Sequence, residues 1–229
     1  SSAASDVYKR QVSYIAIQGE IPMINSFNLF RREADTSFGW NLILVNDDYR
    51  IPRNYEVELT ELSNGEKVDS RIYPQLQQMF DDARTEGLEL FVREGYRTTQ
   101  DQKNIMNERI QKYQDEGYSR WEAKERAEEY VAEPGTSEHE LGIAVDINAD
   151  TSKCSADAVY TWLANNAYKY GFIKRYPDDK TEITGVNNEP WHYRYVGVDS
   201  AIEMQEKGLC LEEYICLLYT SPSPRDSTS

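Results

Sequence analysis

Pro134-Gly135-Thr136-Ser137-Glu138-His139-Glu140-Leu141-Gly142-Ile143-Ala144-Val145-Asp146-Ile147 and, later, Asn188-Glu189-Pro190-Trp191-His192-Tyr193-Arg194-Tyr195-Val196-Gly197 hold both histidines of a 229-residue chain. Each histidine stands among carboxylates and small or aromatic residues. Taken singly, His192 in a Trp-His-Tyr run reads as a packed core histidine, His139 as a solvated loop residue and Asp146 as a turn cap. Taken together they read as a metal centre. A catalytic zinc takes three ligands from His, Asp, Glu or Cys and keeps a fourth position open. His139 and Asp146 are separated by Gly142 and the apolar run Ile143-Ala144-Val145, which suits a loop entering a buried strand. A bare carboxylate inside such a strand is unfavourable unless it is paired or metal-bound. His192 supplies a third ligand from a second strand, and Glu189, three residues earlier, is left to act as general base.

Ser137-x-His139-x-x-Gly142-x-Ala144-x-Asp146, followed by Glu189-Pro190-Trp191-His192, resembles the signature of the VanY-like D-alanyl-D-alanine carboxypeptidases. These belong to a wider group of zinc peptidases that includes lysostaphin-type enzymes and the hedgehog fold. The resemblance implies one zinc ion on His139, Asp146 and His192, with Glu189 as the catalytic base. A third stretch, Arg93 to Gln102, is similar to the family's Ser-Gly-Tyr-Arg-Ser-x-x-x-Gln. Gly95, Tyr96, Arg97 and Gln102 fall in register, while Glu94 stands where Ser is common and Thr98 replaces Ser. The resemblance implies that Arg97 stabilises the oxyanion of the reaction. It places Tyr96, Gln102 and Ser137 at the substrate, and Trp191 and Tyr195 are expected to form pocket wall and floor.

Composition bounds the rest. Forty acidic against 25 basic residues give a net charge of −15, which argues against nucleic acid and anionic membrane as partners. Cys154, Cys210 and Cys216 make an odd count without close pairing, so a disulfide framework is not expected, although one bridge remains open. No run of about 18 apolar residues suggests a transmembrane helix, and no basic-then-apolar export segment opens the chain. There is no Gly-rich phosphate loop, and both histidines are already assigned, which leaves none for a serine or cysteine nucleophile.

Along the chain, residues 1–37 are weakly patterned and residues 216–229 are rich in Ser and Pro, so both are expected to be poorly ordered and, at the extreme ends, artefactual. The domain is expected over 38–215. Leu42 to Asn46 reads as a buried strand and Tyr55 to Leu62 as an extended piece. A helix is expected from Asp69 or Ser70 to Glu86, closed by Gly87. Leu88 to Val92 reads as a strand, followed by helix from Thr98 or Thr99 to Ala132, broken at Gly117. Ser155 starts a helix to Tyr170, Phe172-Ile173 starts a strand, and Tyr176 to Asn187 reads as a hairpin loop beside the site. Glu189 to Val196 is the last core strand, and a helix over Ser200 to Lys207 precedes a packed segment, Leu211 to Ile215.

The expectation is a single α+β domain, with a small, mostly antiparallel sheet, helices on one side and the zinc in a cleft on the other. On the family resemblance the chain is a monomeric, extracytoplasmic zinc carboxypeptidase that removes the terminal D-alanine from peptidoglycan stem peptides. L,D-cleavage of tetrapeptide stems, cross-bridge endopeptidase action and a non-catalytic zinc-containing cell-wall module are the alternatives. The presence of both Glu189 and Arg97 favours catalysis.

Overall fold

The computed structural model describes residues 31–220. Its centre is a four-stranded antiparallel sheet in the order β5-β6-β8-β7. The strands are β5 (Leu90–Glu94), β6 (Ala144–Ala149), β7 (Phe172–Lys174) and β8 (His192–Tyr195). Before it lie two short pairs, β1 (Arg32–Glu33) with β2 (Tyr49–Arg50) in parallel and β3 (Leu59–Glu61) with β4 (Lys67–Asp69) antiparallel. The helices are α1 (Tyr73–Thr85), α2 (Thr99–Asp115), α3 (Arg120–Glu128), α4 (Ala156–Asn166), α5 (Thr181–Thr184), α6 (Val198–Lys207) and α7 (Leu211–Thr220).

The apolar positions explain which faces meet. In α1, Leu76, Met79, Phe80 and Ala83 recur at three- and four-residue spacing and are all buried. They join Val159, Trp162 and Leu163 of α4 against Val92, Val145, Ile147, Tyr193 and Tyr195 of the sheet. Side chains alternate across a strand, so Asp146 lies between the core residues Val145 and Ile147, and His192 and Arg194 alternate with Tyr193 and Tyr195. The sheet therefore has an apolar face under α1 and α4 and a polar face that carries the site.

Several boundaries follow local chemistry. Thr98 caps α2 through a reciprocal pair with Asp101, and Ser119 caps α3 in the same way with Glu122. The break between these helices falls at Gly117, as the sequence suggests. α1 starts at Tyr73, later than expected, because Asp69 accepts from the backbone and guanidinium of Arg71 instead of capping the helix. The loop expected over Tyr176 to Asn187 does link the antiparallel strands β7 and β8, and it contains α5.

Leu42 to Asn46 is not a strand: Trp40–Leu42 form a 3₁₀ turn, and no ladder follows it. Leu42, Ile43 and Val45 are nevertheless buried. The carbonyl groups of Asn41 and Ile43 accept from the Arg194 guanidinium, so a side chain satisfies backbone that a neighbouring strand would otherwise pair. The expected limits of the domain also shift. β1 lies before residue 38, and α7 continues beyond 215 to Thr220, with Tyr214, Ile215 and Cys216 buried. That helix has an apolar face to cover, and it does so against Met204 of α6 and Ile173 of β7. The expectations for residues 1–30 and 221–229 lie outside the described residues.

Candidate metal centre and active site

The antiparallel register of β6 and β8 brings Asp146 opposite His192, and their side chains meet with His192 Nδ1 3.0 Å from Asp146 Oδ1. His139 arrives from a 3₁₀ turn, Glu138–Leu141, placed just before β6. Its Nε2 is 3.5 Å from the same Asp146 oxygen. The turn can close there because Gly142 adopts φ 73°, a left-handed conformation in which glycine meets no Cβ penalty. One ligand atom from each of His139, Asp146 and His192 lies within 4.8 Å of the others, and all three residues are buried.

The chemistry of this donor set fits a zinc ion. Two imidazole nitrogens and one carboxylate oxygen match the three-ligand pattern of catalytic zinc sites. His139 is also oriented for it: Nδ1 donates to the Gly95 carbonyl at 2.8 Å, which leaves Nε2 to face the centre. Gly95 is required at that point, since a Cβ there would sit 2.2 Å from the Lys67 carbonyl oxygen. The charged groups of the centre act on one another. Burial would lower the basicity of His192, but Asp146 and Glu138 outweigh it and push its pKa up to about 9. Burial would likewise raise the Asp146 carboxyl, yet the two histidines hold it below the usual carboxylate range.

Glu189 stands at the rim, its carboxylate 3.8 Å from His192 Nδ1. Its backbone is pinned on both sides: its N–H donates to Tyr176 and its carbonyl accepts from the N–H of His192. Burial pushes the Glu189 carboxyl up, with His192 and Arg97 pulling it back. Arg97 follows β5, where its backbone N–H donates to the His139 carbonyl. Its guanidinium is clamped, Nε on Glu94 and Nη1 on Gln102 at 3.0 Å.

The other expected site residues divide. Ser137 is buried directly before the His139 turn, and its hydroxyl caps no helix. Tyr96 is half-buried beside Arg97, and Trp191 is half-buried immediately before β8. Gln102 is 1% exposed, and its amide is engaged at both ends, accepting from Arg97 and donating to the Ala132 carbonyl. It stands behind Arg97 as a brace, not at the substrate as expected. Tyr195 is not in the cleft either. It packs in the core, its ring stacked on Trp40 at 5.7 Å and edge-on to Phe172 at 5.1 Å. The cause is strand alternation: at three residues from His192 it faces the opposite side of the sheet.

Sequence reasoning missed the polar group beneath the centre. Glu138, Arg175, Arg194 and Glu212 are all buried and joined in one chain of ion pairs, Arg194 to Glu138, Glu138 to Arg175 and Arg175 to Glu212. One signal was available, because Arg194 shares the face of His192 two residues away and so had to be buried with a partner.

Residues 65–198 match the family model of VanY, D-alanyl-D-alanine carboxypeptidase. The chain is 53% identical over 196 residues to a D-alanyl-D-alanine carboxypeptidase of Enterococcus faecalis, covering 86% of this chain and 73% of that protein. It is 38% identical to the carboxypeptidase YodJ of Bacillus subtilis, covering 76% of this chain and 66% of that one. Among solved structures, VanYB in complex with D-alanine-D-alanine aligns with a TM-score of 0.74 at 56% identity, over 80% of this chain and 99% of that one. A vancomycin-resistance D,D-pentapeptidase VanY variant in complex with Zn(II) aligns with a TM-score of 0.73 at 57% identity, over 77% of this chain and 99% of that one.

Proposed function

Since the chain belongs to the VanY family of D-alanyl-D-alanine carboxypeptidases, we propose that it removes the terminal D-alanine from peptidoglycan stem peptides, as a zinc peptidase working outside the cytoplasm. The observation that carries the reading is the meeting of His139, Asp146 and His192 within 4.8 Å, with Glu189 at its rim. Zinc on these three side chains would supply a Lewis acid for the scissile carbonyl and lower the pKa of a water to about 7. Glu189 takes the proton of the attacking water and returns it to the leaving amine. Arg97, held by Glu94 and Gln102, directs its free donors to the oxygen on which negative charge develops. Ser137, Tyr96 and Trp191 surround the peptide.

Mass spectrometry of products from defined pentapeptide and tetrapeptide muropeptides, with zinc or with chelator, tests this directly. Loss of one alanine from the pentapeptide alone, abolished by chelation, is the expected result. Loss from the tetrapeptide would move the bond to the L,D class. No cleavage of either by zinc-loaded protein would overturn the carboxypeptidase reading.

A further inference from the structure

Glu138 is a buried carboxylate to which the proposed chemistry gives no part. Its Oε1 accepts from Arg175 Nε and Arg194 Nη1, each at 2.8 Å. Arg175 continues to Glu212 of α7 through a two-pronged pair at 2.9 and 2.5 Å. The remaining donors of Arg194 reach the carbonyls of Asn41, Ile43 and Tyr195. Such networks add little net stability, because desolvation offsets most of the attraction. What this one holds is therefore more informative than how strongly it holds. The second oxygen, Oε2, lies 3.4 Å from Nε2 of His192.

A neutral imidazole carries one proton, so a ring nitrogen can offer its lone pair to a metal only if the other nitrogen keeps the hydrogen and finds an acceptor. His139 meets this requirement with Nδ1 on the Gly95 carbonyl. His192 presents the opposite edge: Nδ1 faces Asp146 and Nε2 points away from the centre. The acceptor facing it is Glu138, whose other oxygen is held by two guanidinium groups.

We propose that Glu138 is the positioning residue of the metal centre, holding His192 in the tautomer with hydrogen on Nε2 and fixing its ring so that Nδ1 addresses the metal. Arg175 and Arg194 hold Glu138 in turn, and Glu212 anchors Arg175. The inference rests on His192 being a metal ligand.

The chain's two histidines make the test clean, since selective ¹⁵N-histidine labelling yields only two ring systems. In the zinc-loaded protein one ring is expected to carry its hydrogen on Nδ1 and the other on Nε2, the latter exchanging slowly with water. Chelator competition measures zinc affinity in parallel. Glu138→Gln is expected to weaken zinc binding about 10–100-fold, to move the Nε2–H signal of His192 and to leave the Nδ1–H signal of His139 in place. A folded variant with wild-type affinity and an unmoved His192 signal overturns the proposal. Should the variant not fold, the wild-type protein decides: an Nε2–H that exchanges as fast as a free imidazole overturns it, and a protected one supports it. Wild-type protein that takes up no zinc would overturn the metal reading itself, and this inference with it.

Discussion

At the residue scale, the two carboxylates beside His192 stand in different surroundings. Asp146 contacts both histidines, whereas Glu189 approaches only His192 and lies at the partly open rim. The two carboxylates should therefore respond differently to loss of charge. Glu189→Gln keeps the shape of the rim but cannot accept a proton, so turnover should be abolished while zinc stoichiometry, read by elemental analysis, stays normal. Retained turnover would assign the base to another group. Arg97→Ala belongs to the same experiment. Loss of a donor that acts only on developing charge should lower kcat about 10²–10³-fold. A change confined to KM would instead identify Arg97 as a uniform substrate contact.

At the element scale, α1 and α4 support the site without touching it. They cover the apolar face of a sheet whose other face carries Asp146 and His192. Met79 is fully buried in α1. Met79→Ala should cost about 2–5 kcal/mol of stability, measured by denaturant unfolding, with kcat unchanged for the fraction that remains folded. A fall in kcat would mean that the sheet transmits core packing to the centre. The helices themselves were legible in the sequence, because caps such as Thr98 and Ser119 and stops such as Gly117 and Gly171 act within a few residues. The metal group was legible because His139, Asp146 and His192 sit in motifs of fixed spacing. Two readings failed, one for a reason that spacing does not encode and one for a reason that it does. Leu42 to Asn46 has strand-like composition, but the carbonyls of Ile43 and of Asn41 just before it meet Arg194, a partner more than 150 positions along the chain. Tyr195 stands an odd number of residues from His192 in the same strand, so alternation alone turns it away from the pocket and into the core. The Glu138 network joins four positions from distant elements, and its one local signal is Arg194 on the face of His192, which calls for a buried partner without saying which.

At the scale of the whole molecule, the excess of acidic groups makes the placement of the few cations decisive. Among the described residues, no helix is long and apolar enough to cross a membrane. Ion pairs tie Arg31, just before β1, to Glu133 and through it to Lys124 of α3. Glu133 accepts from Arg31 at 2.5 Å and from Lys124 at 3.0 Å, and so joins residue 31 to α3 and to the approach to the metal turn. Its carboxyl is held down to about 2 by sharing a proton with Glu128, whose own carboxyl is pushed up in turn, and by Lys124 and Arg31, against the effect of burial. A folded-state pKa below the unfolded value of about 4.5 means that the unfolded chain binds the proton more readily. The stabilisation is therefore complete above about pH 4.5 and is lost as the pH falls toward 2. Glu133→Gln should lower the melting temperature at pH 6, and the gap to wild type should narrow steadily on titration from pH 5 to pH 3. A gap that stays constant across that range would show that Glu133 acts through packing and not through its charge.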